Sequence, residues 1–456
     1  MSRVPAQHAG DLEDLSAACS QFVEIVGKEN VMTSEDEILA HAGSEWSSYD
    51  VQQHEKSYAI LYPSSTEQVS QVMKICNASK IPVTAYAGGT SLEGHLAPTK
   101  GGICIDFSRM DQIISIHKED LDVTVQPGVD WEALNEELAE HCLFFPPDPG
   151  PGAKIGGMVG TGCSGTNAYR YGTMREWVIS LTVVLADGTI IKTRQRPRKS
   201  SAGYDLTRLF IGSEGTLGLV TEATLRVTSK PTKLSVAVAT FPSLYKAAEC
   251  VAKVVRSDLQ LAGIELLDDE QMRFINSSGV TGRHWRESST LFFKFTGSDT
   301  SIQEQIAQTK ALATSSASDS FTFAQDEDEA IHLWSARKEA LWSVLAAKTR
   351  PSDRVWTTDV SVPISRLCEI IQETRDDMTK SGLKGGIVGH AGDGNFHAMI
   401  LFSENEKPVV EQVVSRMVQR AIEMEGTITG EHGIGLVKRD YLSQELGQSA
   451  VDAMRL

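Results

Sequence analysis

FFPPDPGPGAKIGGMVGTGCSGTNAYRYG, residues 144–172, is the stretch on which the fold turns. Inside it, GTGCSG at 160–165 has the spacing GxGxxG, and Asp187 follows about twenty residues later, as in the dinucleotide fingerprint of a Rossmann fold. That fingerprint needs a strand running into the glycines and a helix leaving them, because the helix N-terminus holds the pyrophosphate. Here the glycines are preceded by PPDPGPGAKIGGM, with prolines at 146, 147, 149 and 151. Proline cannot donate to a buried ladder. They are followed by NAYRYGTMREW, too short and Gly-broken for a crossover helix. The Rossmann reading is rejected. So long a segment without periodicity, set between strands, reads as a functional loop.

The flanks support an α+β plan. Upstream, SYAILYP (57–63), IPVTAYA (81–87), GGICIDF and DVTVQPG read as strands. Residues 65–80 have Val69, Val72, Met73 and Cys76 at helical spacing, with Ser65 or Thr66 as cap. WEALNEELAEHC (131–142) is a second amphipathic helix, and residues 11–40 read as helical and acidic. Downstream, WVISLTVVLADGTIIKT reads as a hairpin about a two-residue Asp187-Gly188 turn. Pro231 marks a domain boundary. Beyond it SVAVATF, LQLAGIELLD and STLFFKFTG read as strands, and SLYKAAECVAKVVRS as a helix. TSSASDS (314–320) reads as a polar loop, and DEDEAIHLWSARKEALWSVLAA as one long helix with four acids in its first turn.

Composition narrows the function classes. The formal net charge of −17 argues against general binding to nucleic acid or anionic membranes. The basic run Lys192–Lys199 lacks interleaved aromatics and reads as a solvated loop. The longest nearly apolar run, Trp177 to Ala186, is far shorter than the roughly 20 residues of a spanning helix. The N-terminus has no apolar signal core, and Asp11, Glu13 and Asp14 suit a mitochondrial presequence poorly. None of the seven cysteines forms CxxC or CxxCH, so a zinc ribbon, a thioredoxin-like pair and c-type haem are unsupported. A reduced intracellular compartment is the simplest reading.

AGGTSLEG (87–94) can place backbone N–H groups against a phosphate, with Thr90 and Ser91 as added donors. Taken with PPDPG, IGGMVGTGCSGTNAYRYG, GYDLTRLFIGSEGTLGLVTE, GHAGDGNFH and GTITGEHGIG, in that order, it resembles the D-2-hydroxy-acid and D-lactate dehydrogenase branch of the vanillyl-alcohol-oxidase flavoproteins. The similarity runs from about residue 50 onward. The resemblance implies a two-subdomain FAD-binding domain (54–232) and an α+β cap domain with an antiparallel sheet (233–456), which leaves residues 1–53 as an N-terminal helical segment. It also implies that Gly88, Gly89, Thr90, Ser91 and Gly94 bind the pyrophosphate. Pro147, Asp148, Gly156, Gly157, Gly165 and Val220 are implied to line the rest of the FAD. Some relatives attach flavin through a His in the first loop. Thr90 stands in that neighbourhood here, so non-covalent FAD is expected.

GHAGDGNFH sets His390 and His397 on either side of a Gly/Asp turn, so the imidazoles can converge. A helix over 407–425 then returns GTITGEHGIG, with Glu431 and His432, to the same end. Two His and a carboxylate suit zinc or a similar divalent ion with a position left open. The resemblance implies that His390, His397 and Glu431 are the metal ligands, that His432 is the base, and that Arg337 anchors the substrate carboxylate. Lys338 fits a solvated helix face better. TTDVSVP (357–363) resembles a strand lining the same cavity. Hydroxyglutarate-type relatives commonly carry Lys where Thr357 stands, which favours a monocarboxylate.

The activity implied is oxidation of D-lactate or a similar small D-2-hydroxy acid. Electrons would pass to an external acceptor such as cytochrome c or an electron-transfer flavoprotein, and the location implied is mitochondrial, otherwise cytoplasmic. D-2-hydroxyglutarate dehydrogenase, a glycolate oxidase subunit, a flavin-binding subunit without turnover and a metal hydrolase are the alternatives. Relatives continue past GEHGIG with a longer helical tail than the residues to Leu456, an expected weak point of the cap.

Overall fold

The computed structural model describes residues 12–44 and 46–456, so residue 11 of the expected N-terminal helix lies outside the described residues. The chain divides into two compact units. The first comprises the residues up to Ser164, Thr173–Lys230 and Gly435–Val437. The second comprises Gly165–Gly172, Pro231–Ile434 and Lys438–Leu456.

The first unit is built on two main sheets. In one, Ala59–Leu61, Ile103–Asp106 and Val83–Tyr86 pair in parallel, with Val31–Met32 antiparallel at the edge. Helix Thr66–Ser79 starts where its cap requires, with Ser65 accepting from the Gln68 amide. It buries Val69, Val72, Met73 and Cys76 against the sheet residues Ala59, Leu61, Ile103 and Ile105 and against Ala18 and Phe22 of helix Leu12–Val26. That helix ends at Gly27, whose φ of +93° no helix accommodates. The expected helical run 11–40 is therefore two helices, Leu12–Val26 and Glu35–Ala40, with a short strand between them.

The other sheet is antiparallel, in the order Ile113–His117, Asp122–Val125, Leu219–Arg226, Val178–Val184, Ile190–Lys192. Its hairpin forms about Asp187 as expected, but the turn is longer than two residues. The Leu185 amide donates to the Thr189 carbonyl around Ala186, Asp187 and Gly188, and Gly188 takes φ +82°. A three-residue hairpin loop commonly ends on such a left-handed glycine.

The stretch 144–172 is neither a bare loop nor a Rossmann turn. It carries short helices at Ile155–Thr161 and Ala168–Tyr171. GTGCSG straddles the end of the first, where Gly162 makes the left-handed cap at φ +66°. Among the described residues no strand runs into those glycines, and the helices that follow, Ala168–Tyr171 and Met174–Trp177, have four residues each.

The second unit is one antiparallel sheet with helices packed on it. Its strands run in the order Ser320–Phe323, Leu234–Phe241, Ser289–Thr296, Gly263–Leu267, Lys384–His390, Asn395–Phe402, Arg354–Thr357. Val360–Ser361 also pairs with Asn395–Phe402. TSSASDS is not all loop, because helix Asp299–Ser315 runs into it and a strand begins at Ser320. The expected long helix after Gln325 breaks at Glu339 into Glu327–Lys338 and Ala340–Ala346. Gln271 Nε2 donates to the Ala340 carbonyl just past the break. Asp326 and the acids after it cap the first of these helices, Asp326 accepting from the Glu329 amide.

Candidate active site

His390 and His397 sit on the two strands of one hairpin. Val388 stands opposite His397 and His390 opposite Asn395, so both imidazoles project from the same sheet face. Their ring centroids are 5.5 Å apart and nearly perpendicular. Both are buried, at 5% and 4% exposure. Glu431 reaches the pair from the loop after helix Lys407–Glu423. Its Oε1 lies 3.5 Å from His390 Nε2 and 3.2 Å from His397 Nε2. His432 stacks on His397 with centroids 4.9 Å apart, and its Nε2 lies 3.7 Å from Glu431 Oε1. The second unit thus brings together all four residues expected to form the cluster.

The outer nitrogens fix which ring atoms face inward. His397 Nδ1 is 2.8 Å from the Thr358 carbonyl, which can only accept, so Nδ1 carries a proton and Nε2 is the ring atom that faces Glu431. His390 Nδ1 is 2.9 Å from Glu265 Oε1. The inward atoms are therefore two imidazole Nε2 and a carboxylate oxygen, mutually within 4.8 Å. This is the donor set and spacing of a divalent metal with a position left for another ligand. Burial opposes charge on His390, but Glu265 and Glu431 outweigh it and raise its pKa well above the ordinary histidine value. Burial likewise opposes charge on Glu431, yet His390 and His397 hold its carboxyl well below the usual range. Burial lifts Asp393, in the turn between the histidines, to about 6.

A second trio, Asp359, His397 and His432, also brings three potential ligand atoms within 4.8 Å. It does not suit a metal, because the Asp359 carboxylate is already saturated. Its Oδ2 accepts from the amides of Gly430, Glu431 and His432 at 2.8, 3.0 and 3.0 Å and from Thr429 Oγ1 at 2.6 Å. Lys438 Nζ lies 3.3 Å away, and Asn395 Nδ2 donates to Oδ1. Burial of Asp359 opposes its charge, but Lys438, His432 and His397 hold it far below the usual carboxylate range. Gly430 has no alternative here: a Cβ would collide with the Asn395 amide and with Asp359 Oδ1.

Arg337 lies in the last turn of helix Glu327–Lys338, and its Nε donates to Glu265 Oε2 at 2.6 Å. Lys338 is exposed, as its reading as a solvated face requires. Thr357 is half-buried at the end of strand Arg354–Thr357.

The residues expected to cradle FAD fall mostly in the first unit. Among the described residues, the amides of Gly88, Gly89, Thr90 and Ser91 are matched to no backbone carbonyl. Gly89 takes φ +67°, and a Cβ on Gly88 would lie 2.6 Å from the Gly152 carbonyl. Amides left open where two successive glycines leave no room for a Cβ suit an anion. Gly157 faces open space within helix Ile155–Thr161, whereas Gly156 packs on Pro127. Pro147 is buried, Asp148 is half-buried, and Val220 lies on strand Leu219–Arg226. Gly94 is buried with φ +79° against Tyr49. Gly165 is the exception in grouping, since it belongs to the second unit.

Three residues around the cluster were not singled out from the sequence: Glu265, and Thr358 and Asp359 within the stretch TTDVSVP expected to line the cavity. A signal existed for two of them. GIELL and TTDVSV each put one carboxylate in a strand-like run, and a buried carboxylate must be paired. Thr358 acts through its backbone carbonyl, which no side chain announces.

Residues 58–194 match the family described as FAD binding domain, and residues 230–456 match FAD linked oxidases, C-terminal domain. The mitochondrial D-lactate dehydrogenase [cytochrome] of Kluyveromyces lactis is 50% identical over 98% of this chain and 79% of its own length. The Arabidopsis thaliana protein of the same name is 46% identical over 87% of this chain and 70% of its own. A glycolate oxidase subunit of Bacillus subtilis is 34% identical, covering 95% and 92%. Among solved structures, 4-ethylphenol oxidase from Gulosibacter chungangensis superimposes with a TM-score of 0.80 at 18% identity over 98% of this chain and 94% of that one. At that identity the likeness shows the shared fold.

Proposed function

This chain belongs to the D-lactate dehydrogenase branch of the FAD-linked oxidases, and from that premise we propose that it oxidises D-lactate, or a similarly small D-2-hydroxy acid, to the 2-oxo acid. The observation that carries the reading is the convergence of His390 Nε2, His397 Nε2 and Glu431 Oε1 with His432 stacked beside them. FAD, when bound, supplies the acceptor for the hydride that leaves C2. A divalent metal, when held by His390, His397 and Glu431, supplies the positive charge that makes the substrate hydroxyl a stronger acid. His432 takes the hydroxyl proton, the general-base role an imidazole can fill. As C2–H and O–H are lost, the C2–O single bond becomes a carbonyl. Arg337 anchors the substrate carboxylate through the Nη groups of its guanidinium, while its Nε holds Glu265.

Gly88, Gly89, Thr90, Ser91 and Gly94 hold the pyrophosphate. Thr90, without a nucleophilic ring nitrogen, leaves the FAD non-covalent, so acid precipitation should release the flavin into the supernatant. Electrons then pass to an external acceptor, a cytochrome by likeness to the relatives' names, and the same names support a mitochondrial location. A second reading, action on glycolate or D-2-hydroxyglutarate, is favoured by the glycolate oxidase relative. Thr357, which offers no cation for a distal carboxylate, weighs against the dicarboxylate.

Anaerobic titration of the purified yellow protein with D-lactate tests the proposal. The flavin absorbance should bleach stoichiometrically, and His432→Ala should keep the flavin but lose the bleaching. Preference for a dicarboxylate, or a flavin that no D-2-hydroxy acid bleaches, would overturn it.

A further inference from the structure

We propose that Glu265 is a positioning residue that builds the metal site and the substrate anchor together, one carboxylate oxygen orienting His390 and the other orienting Arg337. The inference rests on the reading above, which gives Glu265 no role toward the metal position. Glu265 is the middle residue of strand Gly263–Leu267 and is 1% exposed. It stands directly opposite His390 in the sheet register, so both side chains leave the same face. Oε1 lies 2.9 Å from His390 Nδ1 and Oε2 accepts from Arg337 Nε at 2.6 Å.

Those two contacts make different demands. Arg337 can only donate, and so can His390 Nδ1 if its Nε2 is to keep a lone pair for a metal. A carboxylate meets both, since each oxygen accepts. A glutamine in the same place cannot. If its amide oxygen faces Arg337, its NH2 faces His390 Nδ1, which must then accept. The ring proton moves to Nε2 and the lone pair turns away from the metal position. If the amide oxygen faces His390, the NH2 opposes Arg337 and the anchor is released. Outer partners of this kind typically change metal affinity about 10–100-fold.

The experiment measures zinc affinity of the FAD-loaded protein by chelator competition, with steady-state kinetics on D-lactate in parallel. Glu265→Gln is expected to weaken zinc about 10–100-fold and to raise KM for D-lactate. Arg337→Met should raise KM and leave zinc affinity unchanged. Glu265→Asp separates positioning from packing. It keeps both accepting oxygens but is one methylene shorter, so it should bind zinc more tightly than Glu265→Gln. A residue that merely fills space predicts the reverse order, because glutamine is the closer fit. Zinc affinity of Glu265→Gln equal to wild type, or a Gln variant that outbinds the Asp variant, would overturn the proposal alone. A wild-type protein that takes up no divalent ion would remove the metal reading and this proposal with it.

Discussion

The Asp359 side chain accepts from three consecutive amides, a threonine hydroxyl and an asparagine amide, and lies against the Lys438 ammonium. Three N–H groups aimed at one oxygen make the backbone of Gly430–His432 an anion nest, with Asp359 as its fixed anion. The side chains of Glu431 and His432 leave from that same turn, so the turn's shape sets their direction. Asp359→Asn presents an NH2 where an acceptor is required and leaves Lys438 facing a neutral group. Breaking a buried ionic network in this way costs about 3–5 kcal/mol. The expected result is a clearly lower melting temperature; an unchanged melt would count against the network. The histidines and Glu431 were legible beforehand because glycines and turn residues bracket them. For Asp359 and Glu265 only a carboxylate in a strand-like run was legible; their partners were not, because Asn395 and His390 lie 36 and 125 residues further along the chain.

Elements of regular period were legible for the same physical reason. Helix Thr66–Ser79 and strand Ser289–Thr296 declare themselves through cap, spacing and β-rich composition. What the local pattern could not contain is a tertiary contact such as the one beside Glu339, where Gln271 Nε2 donates to the Ala340 carbonyl of a neighbouring helix. Helix Leu367–Lys380 is likewise tied sideways. Asp377, near its end, accepts from Arg416 at 2.9 and 2.7 Å and from Arg420 at 2.8 Å, both on helix Lys407–Glu423, which leads to Glu431. The hydrogen bond from Arg416 holds the Asp377 carboxyl below its ordinary value of 3.8, with Arg420 adding to it against burial. A carboxyl with a depressed folded-state pKa stabilises the fold above its unfolded pKa, and that stability disappears as pH falls through the folded value. Asp377→Asn should therefore cost about 1.5 kcal/mol near neutral pH and almost nothing under strong acid. Thermal melts of both proteins across pH should converge below the ordinary aspartate pKa; parallel curves would refute the pairing.

Across the whole molecule, 60 acidic and 43 basic side chains leave a net charge of −17. A field of that sign draws in cations over distances that salt shortens. If the electron acceptor is a basic protein, its reduction rate should fall as ionic strength rises, while reduction of an uncharged dye should hardly change. Equal salt sensitivity for both would point to an effect on the enzyme itself. The two-part plan was visible in the sequence, but the threading of the chain between its parts was not. Gly165–Gly172 interrupts the first unit yet is held by the second, where Lys294 binds Thr166 and Asn167 and Arg170 binds Thr296. Gly435–Val437 does the converse, with Leu436 donating to the Glu93 carbonyl. A cut at residue 231 is therefore not a seam. A chimera that joins two relatives there would inherit one parent's sheet with the other parent's clasp. A compatible recombinant must exchange residues 165–172 with the second unit and retain 435–437 with the first.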